Sequence, residues 1–288
     1  MKSASQPARQ CTIAHSIVIQ GIGLHTGART EMHIEPAEVN HGIVFERRDL
    51  PGRPAVRAKA GSVQPSSYRT LLVANGVEVS TVEHLLAAML GLGLDNARVS
   101  LDSGEVPAMD GSALHFVEQI RAAQLTEQDA ARPGMRLLRS VEVREADRWI
   151  RLEPGCGIEI DCRLSSSHPK LSGQHLDYRH SSDAFTRELA PARTYGLLAD
   201  LDELHAAGLA RGGGLENAVV FDDRSVINPG GLRFENECVR HKVLDILGDL
   251  ALLEASLEAR IWSNGSGHRM HHELVLRLAS EPDLCMRF

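Results

Sequence analysis

The 288-residue chain has few aromatic residues, dispersed cysteines, no excess of positive charge and no long hydrophobic run. Aromatic residues make up 4% of the chain and the net charge is -7, so we expect no nucleic-acid partner. The five cysteines form no CxxC pair, which disfavours a disulfide framework or a zinc finger. The most apolar stretch, residues 85–94, is about half as long as a membrane span. These absences predict a cytoplasmic protein without stable membrane insertion.

The length of 288 residues favours a protein of about two domains, and a hydrophobic content of 43% is enough to bury a sizeable core. A polar segment at 126–136 contains Pro133-Gly134 and marks the predicted boundary. The predicted domains are therefore 1–128 and 135–288. In both parts several strands precede one long helix, without βαβα alternation. This order predicts the α+β class and disfavours a doubly wound parallel sheet.

Periodicity and turn residues predict the main elements. Asn75-Gly76 stands between two β-prone runs and predicts a hairpin. A helix is predicted from about residue 81 and a second over 236–258, each with an apolar stripe. The chain is predicted to end in strands at 259–263 and 274–278, which places Ser266-Gly267-His268 in the loop between them.

The second predicted helix carries residues suited to binding a metal ion. His241 and Asp245 stand four residues apart, so they share one face of the helix, and Asp249 lies one turn further on. Carboxylates among so many apolar neighbours would be costly unless they were paired or ligated. A solvated polar stripe is therefore the weaker alternative. A catalytic zinc needs a third protein ligand, which this spacing does not identify, although Cys238 is either a candidate or a small buried hydrophobe.

Three shorter motifs each leave two interpretations open. Ser80 and Glu83 have the spacing of a helix capping box, but Glu83-His84 also places a carboxylate beside an imidazole. His268 is either a turn residue or a mobile acid or base. Gly21-x-Gly23-x-x-x-Gly27 misses the dinucleotide-binding spacing by one residue, which favours a glycine-rich β-turn.

Seven motifs nevertheless occur in one order along the chain. They are His-Thr-Gly at 25–27, Ser-Thr-Val-Glu-His at 80–84, Pro-Ala-Met-Asp-Gly-Ser-Ala at 107–113, Ala-Arg-Thr-Tyr-Gly at 192–196, Leu-Arg-Phe-Glu-Asn-Glu at 232–237, Val-Arg-His-Lys-x-x-Asp-x-x-Gly-Asp-Leu at 239–250 and Ser-Gly-His at 266–268. From about residue 13 to 278 the chain closely resembles the UDP-3-O-acyl-N-acetylglucosamine deacetylases. This family catalyses the committed step of bacterial lipid A synthesis.

The resemblance implies a fold, a metal and a reaction. The fold would be two similar two-layer α/β sandwich domains packed face to face, with the active site between them. His84 would join His241 and Asp245 as ligands of Zn²⁺, although this ligand set also accepts iron(II). The reaction would be hydrolysis of the N-acetyl group of a UDP-linked, 3-O-acylated amino sugar to acetate and the free amine.

The resemblance also implies catalytic roles. Glu83 would act as general base toward a zinc-activated water, and Thr194 would help zinc to hold the oxyanion. His268, as imidazolium, would stabilise that charge and protonate the leaving amine. Asp249 would orient His268 and stabilise its charge.

Further positions would bind the substrate. Lys242 would meet the diphosphate, and Tyr195 would pack near the sugar or the uridine. The acyl chain would occupy a groove formed by an insert at 197–220, for which four apolar side chains are candidate lining residues: Leu201, Leu215, Ala218 and Val220.

A few positions depart from the family pattern. Cys238 stands where a bulky aromatic residue is usual, and His271-His272 replaces less basic residues, so these side chains could bind adventitious zinc. We expect a monomer. Two other functions stay open: a zinc amidase for another acylated amino sugar, and a catalytically silent nucleotide-sugar binder. The combination of Glu83 and His268 with three candidate ligands speaks against a silent binder.

Overall fold

The computed structural model describes residues 8–288 of the chain. The helices are α1 Glu83–Leu92, α2 Leu114–Ala122, α3 Ser182–Ala184, α4 Leu201–Ala206, α5 Glu237–Leu250 and α6 His268–Ser280. The strands are β1 Arg9–Ile13, β2 Ile17–Ile22, β3 Arg29–Pro36, β4 Ile43–Arg47, β5 Ala55–Arg57, β6 Val63–Gln64, β7 Leu71–Ala74, β8 Val77–Ser80, β9 Ala97–Leu101, β10 Leu125–Ala131, β11 Gly134–Leu137, β12 Val141–Glu145, β13 Arg148–Pro154, β14 Ile158–Arg163, β15 His175–Arg179, β16 Tyr195–Leu197, β17 Val219–Phe221, β18 Ser256–Asn264 and β19 Cys285–Arg287. No helix within this range is long and apolar enough to cross a lipid bilayer.

Two sheets repeat one strand order. The first runs β2-β3-β9-β4-β5, and the second contains the series β12-β13-β18-β14-β15. The β4–β9 and β14–β18 pairs are parallel, whereas the other neighbours in these two series are antiparallel. One helix precedes and one follows the central strand in each case, α1 and α2 around β9 and α5 and α6 around β18. The predicted α+β class is confirmed. The limits 1–128 and 135–288 stay a prediction.

The hairpin predicted from Asn75-Gly76 is confirmed. Strands β7 and β8 pair in antiparallel register from Leu71 opposite Ser80 to Ala74 opposite Val77. Asn75 has φ 54° and Gly76 has φ 76°, and positive φ at both central residues is what a type I′ turn requires.

Helix α1 begins two residues later than the predicted start at residue 81. Ser80 still pairs within β8, and Thr81 has a left-handed φ of 59°, so the helical path cannot begin before residue 82. The capping-box interpretation is wrong, because Ser80 Oγ donates to Gly104 O while Glu83 Oε2 accepts from the Thr70 N–H. Gly93, with φ 77°, ends the helix as expected of a C-cap glycine.

Two predictions for the last fifty residues are wrong. Helix α5 ends at Leu250, not at 258, because Glu254 has a left-handed φ of 53° and residues 256–258 pair with β11. The strand predicted at 274–278 lies inside α6, so His268 begins a helix and does not lie in a loop between strands. Met270, Leu274 and Leu278 are all buried, and their four-residue spacing places them on one face of a helix. A short apolar run of this length fits a strand or a helix, and here it is helical.

A close helix contact joins the two parts of the chain that share this strand order. Helix α1 is buried along almost its whole length and packs against α5. A Cβ atom at Gly248 of α5 would lie 2.2 Å from the carbonyl oxygen of Glu83. Only glycine at this position allows the backbones to approach so closely, and this approach sets the distance between side chains on the two helices.

Replacing Gly248 by alanine should therefore destabilise the fold. Overpacking costs about 1–3 kcal/mol. The loss is expected although alanine normally favours a helix by about 1 kcal/mol over glycine. Urea denaturation measures the effect. Gly61→Ala is the matched control, because a Cβ there meets no atom within 4 Å. Equal stability of Gly248→Ala and the wild type would contradict the steric account.

Candidate active site

Three candidate metal ligands converge between α1 and α5. His84 lies in the first turn of α1, and His241 and Asp245 lie one turn apart on α5. Asp245 Oδ1 is 3.3 Å from His241 Nε2 and 3.8 Å from His84 Nε2. All three side chains are buried, and their ligand atoms lie within 4.8 Å of one another. The structure thus brings together the three residues that the sequence analysis selected.

The chemistry of this group fits a divalent cation. Oδ1 of Asp245 is buried and has no hydrogen-bond partner among residues 8–288, although two imidazole nitrogens face it. The Nδ1–H of His241 donates to Ala192 O at 3.0 Å, which leaves its Nε2 lone pair directed at the group. Burial and the neighbouring His241 lower the pKa of His84 to about 3, so its ring is neutral, as a metal ligand must be.

Lys242 keeps the carboxylate of this group ionised. Its Nζ donates to Asp245 Oδ2 at 2.8 Å. Burial alone would favour a neutral carboxyl, but Lys242 and His241 outweigh it and hold the pKa of Asp245 below its ordinary value. Lys242 Nζ also lies 5.5 Å from the centre of the Tyr195 ring. Lys242 and Tyr195, two of the predicted substrate-binding residues, therefore lie beside the metal group.

Glu83 lies next to the metal group in sequence and in space. Its side chain is buried, and Oε2 accepts a hydrogen bond of 3.0 Å from the Thr70 N–H. Burial raises the pKa of Glu83 to about 7. A carboxylate with this pKa can accept and release a proton near neutrality, as a general base must.

His268 approaches the metal group from α6. Its Nε2 lies 3.9 Å from Asp245 Oδ2, and its Nδ1–H donates to Asp249 Oδ2 at 2.8 Å. Burial opposes the charged ring, but Asp249 outweighs it and the pKa of His268 rises to about 9. The ring is therefore an imidazolium with a proton available at the same cluster that holds Glu83.

Asp249 has more partners than the sequence analysis assigned to it. Besides His268, its carboxylate accepts hydrogen bonds from Thr70, His271 and His272. Asp249, His268 and His272 also form a second group with metal-ligating spacing. Thr70 was missed because no local motif marks it; it reaches Asp249 across 179 positions of sequence.

Of the two interpretations of Cys238, the structure supports the small buried hydrophobic residue. It is fully buried in an apolar cluster with Leu171, Val219 and Phe221, and it does not belong to the metal group. Burial raises the pKa of its thiol to about 12, so the sulfur is a neutral hydrophobic group.

The loop before β16 positions both Thr194 and the carbonyl that holds His241. Thr194 is half-buried, and its N–H donates to Gly111 O at 2.8 Å. The neighbouring Arg193 forms a buried ion pair with Glu237, whose Oε1 accepts from the Arg193 N–H at 3.0 Å and from Nε at 2.9 Å. The oxyanion role of Thr194 stays a prediction.

Replacing Glu237 by glutamine should destabilise the protein. Removing one partner of a buried ion pair costs about 3–5 kcal/mol. Burial opposes the charged carboxyl, but Arg193 and two backbone N–H groups outweigh it and lower the pKa below the ordinary 4.5. This stabilisation is therefore present above pH 4.5 and is lost as the pH falls through the lowered pKa.

Urea denaturation at neutral and acidic pH tests this prediction. The difference in unfolding free energy between wild type and Glu237→Gln should be largest at neutral pH and should shrink in acid. Glu235→Gln is the control, because Glu235 is exposed two residues away. A difference that grows on acidification would refute the assigned sign.

The predicted acyl-binding insert at 197–220 forms a small β-α-β unit. Strands β16 and β17 pair in parallel, with α4 between them in sequence. Three of the candidate lining residues are half-buried and Leu215 is 41% exposed, so this unit presents accessible apolar side chains. The half-buried residues are Leu201, Ala218 and Val220. Their role in binding an acyl chain stays a prediction.

The fold and this cluster define a class of protein. Two histidines and one carboxylate that could hold a metal, beside a buried glutamate and a charged histidine, form the side-chain set of a metal-dependent hydrolase.

Comparison with known proteins defines the family. Residues 10–280 match the family model described as UDP-3-O-acyl N-acetylglycosamine deacetylase, and the chain belongs to that family. A UDP-3-O-acyl-N-acetylglucosamine deacetylase of Myxococcus xanthus is 42% identical over 273 residues, which cover 95% of this chain and 87% of the relative. Relatives of the same name from Shewanella loihica and Thioalkalivibrio sulfidiphilus are both 41% identical; they cover 95% and 97% of this chain, and 90% and 93% of the relatives.

Proposed function

We propose that this protein hydrolyses the N-acetyl group of a UDP-linked, 3-O-acylated N-acetylglucosamine in the cytoplasm, as the committed step of lipid A synthesis. The products are acetate and the free amine. The observation that carries the proposal is Oδ1 of Asp245, which has no hydrogen-bond partner within residues 8–288 and faces two imidazole nitrogens beside Glu83 and His268. Family membership supplies the substrate class.

His84, His241 and Asp245 would hold the metal, which we propose to be Zn²⁺; iron(II) suits the same ligands. When bound, such an ion lowers the pKa of a water molecule and polarises a carbonyl group. Lys242 offsets the negative charge of Asp245 from the far side of the carboxylate.

Two groups of the chain move protons in this scheme. Glu83 accepts the proton of the attacking water, for which a pKa near 7 is suited. His268 donates its proton to the departing nitrogen, so the sugar leaves as an amine. Asp249 holds the Nδ1–H of His268, which directs Nε2 toward the reacting bond.

Neighbouring groups bind and orient the substrate. The Thr194 hydroxyl stabilises the oxyanion, and the Lys242 ammonium and Tyr195 ring meet the nucleotide sugar. The apolar side chains of the 197–220 insert take the acyl chain. A monomer suffices, because every proposed group comes from one chain.

Acetate release from the UDP-linked acylated sugar tests the proposal directly. Turnover by the purified protein is expected, together with formation of a free amine. The matched control substrate is an acylated amino sugar without the UDP group. Equal turnover of both would favour an amidase for another amino sugar, and binding without turnover would favour a silent nucleotide-sugar binder.

A further inference from the structure

Asp249 is held by more donors than an orienting carboxylate needs. It is completely buried, and each oxygen has two donors among the described residues. His268 Nδ1 and His271 Nδ1 each lie 2.8 Å from Oδ2. The Thr70 hydroxyl donates to Oδ1, and His272 Nε2 lies 3.2 Å from the same oxygen. Four donors use the whole accepting capacity of a carboxylate and fix its plane.

Two of the histidines around Asp249 have further polar contacts. His271 donates through Nδ1, and burial lowers its pKa, so its neutral Nε2 accepts from the Ser266 hydroxyl at 2.8 Å. Ser266 Oγ lies 2.7 Å from Ser263 Oγ on β18. His272 Nε2 also lies 3.1 Å from Thr70 Oγ1. Helix α6 thus supplies the three histidine donors, and the serine contacts tie His271 to strand β18.

Thr70 connects this cluster to the general base. It lies just before β7 and is completely buried. Its N–H donates to Glu83 Oε2, whereas its hydroxyl donates to Asp249 Oδ1. One residue therefore contacts both carboxylates that control proton transfer, Glu83 on α1 and Asp249 on α5.

We propose that Thr70 is a positioning residue for both proton-transfer groups, and that its hydroxyl, with His271 and His272, locks Asp249 and thereby the ring of His268. This inference rests on the proposed function. Without the Thr70 hydroxyl, Oδ1 of the completely buried Asp249 keeps only the contact from His272, and the carboxylate is fixed less firmly. The His268 ring then loses its fixed direction toward the reacting bond, which lowers the rate of the chemical step.

Two substitutions at position 70 separate the hydroxyl from the rest of the side chain. Thr70→Val keeps the shape and the backbone N–H bond to Glu83 but removes the hydroxyl. Thr70→Ser keeps the hydroxyl. Loss of a residue that orients a metal ligand costs about 10- to 100-fold in activity, and we expect an effect of the same size for a residue that orients a proton donor. We expect Thr70→Val to lower kcat by that factor with KM unchanged, and Thr70→Ser to retain kcat.

The histidines provide an independent pair of tests. An asparagine amide places a donor where Nδ1 of histidine lies, and a glutamine amide places one where Nε2 lies. His271→Asn and His272→Gln should therefore retain kcat, whereas His271→Leu and His272→Leu should lower it. Wild-type kcat in both leucine variants would overturn the role of these histidines.

A measurement other than turnover distinguishes a loss of side-chain positioning from a general loss of folded structure. Proton NMR of ¹⁵N-histidine-labelled protein should show the ring N–H protons of His268 and His271 as slowly exchanging signals. We expect them to persist in Thr70→Ser and to exchange faster in Thr70→Val. Equal kcat and equal exchange in Thr70→Val and wild type would overturn the inference. An inactive wild type with these signals intact would instead reject the proposed function.

Discussion

Replacing Glu83 by glutamine is expected to lower kcat about 10²- to 10⁴-fold, because general-base catalysis contributes a factor of that size. The glutamine side chain has the same shape, and its amide oxygen can still accept from the Thr70 N–H. It cannot take a proton from water. The KM for the UDP-linked sugar should change little, since binding does not need the base.

Two controls make the Glu83 result specific. Glu78→Gln on the neighbouring strand β8 should retain kcat, because that side chain is exposed. The metal content of Glu83→Gln should equal that of the wild type, because His84 is unchanged. A Glu83→Gln protein with wild-type kcat would exclude Glu83 as the base.

Removing the metal should abolish turnover and lower the melting temperature. Without the cation, Oδ1 of Asp245 would be a buried acceptor with no hydrogen-bond partner in the described part of the chain, which is costly. A ligand present at about 100 times its Kd stabilises a folded protein by about 2.7 kcal/mol. The test is dialysis against a chelator, followed by addition of zinc or iron(II). Activity and melting temperature are measured after each step, and the ion that restores both identifies the metal.

His241→Ala provides the corresponding mutational test. The variant should bind less metal than the wild type and should lose turnover, because one of three ligands and its bond to Ala192 O are removed. His15→Ala is the control, since His15 is exposed between β1 and β2.

The metal-removal test also has a contradicting outcome. Full activity and an unchanged melting temperature in wild-type protein verified to be free of metal would contradict a metal-dependent reaction.

Predictions for the chain were correct where residues close in sequence determine the local structure. Asn75-Gly76 specifies its own turn, because both residues accept positive φ. His241 and Asp245 share a helix face whatever surrounds that helix. Predictions failed where partners distant in sequence decide the outcome: β11 takes residues 256–258 out of α5, and an apolar run at 274–278 fits either a strand or a helix.

The α+β class, the family and the shared helix face of His241 and Asp245 can be predicted without a structure, because they follow from the order of elements and motifs along the chain and from the helical period. The rest of the candidate site depends on how the chain packs. Gly248 permits the helix contact that brings His84 to those residues, and Thr70 reaches Asp249 from another element. Such contacts join residues more than a hundred positions apart, and no local pattern encodes them because packing of the whole chain creates them.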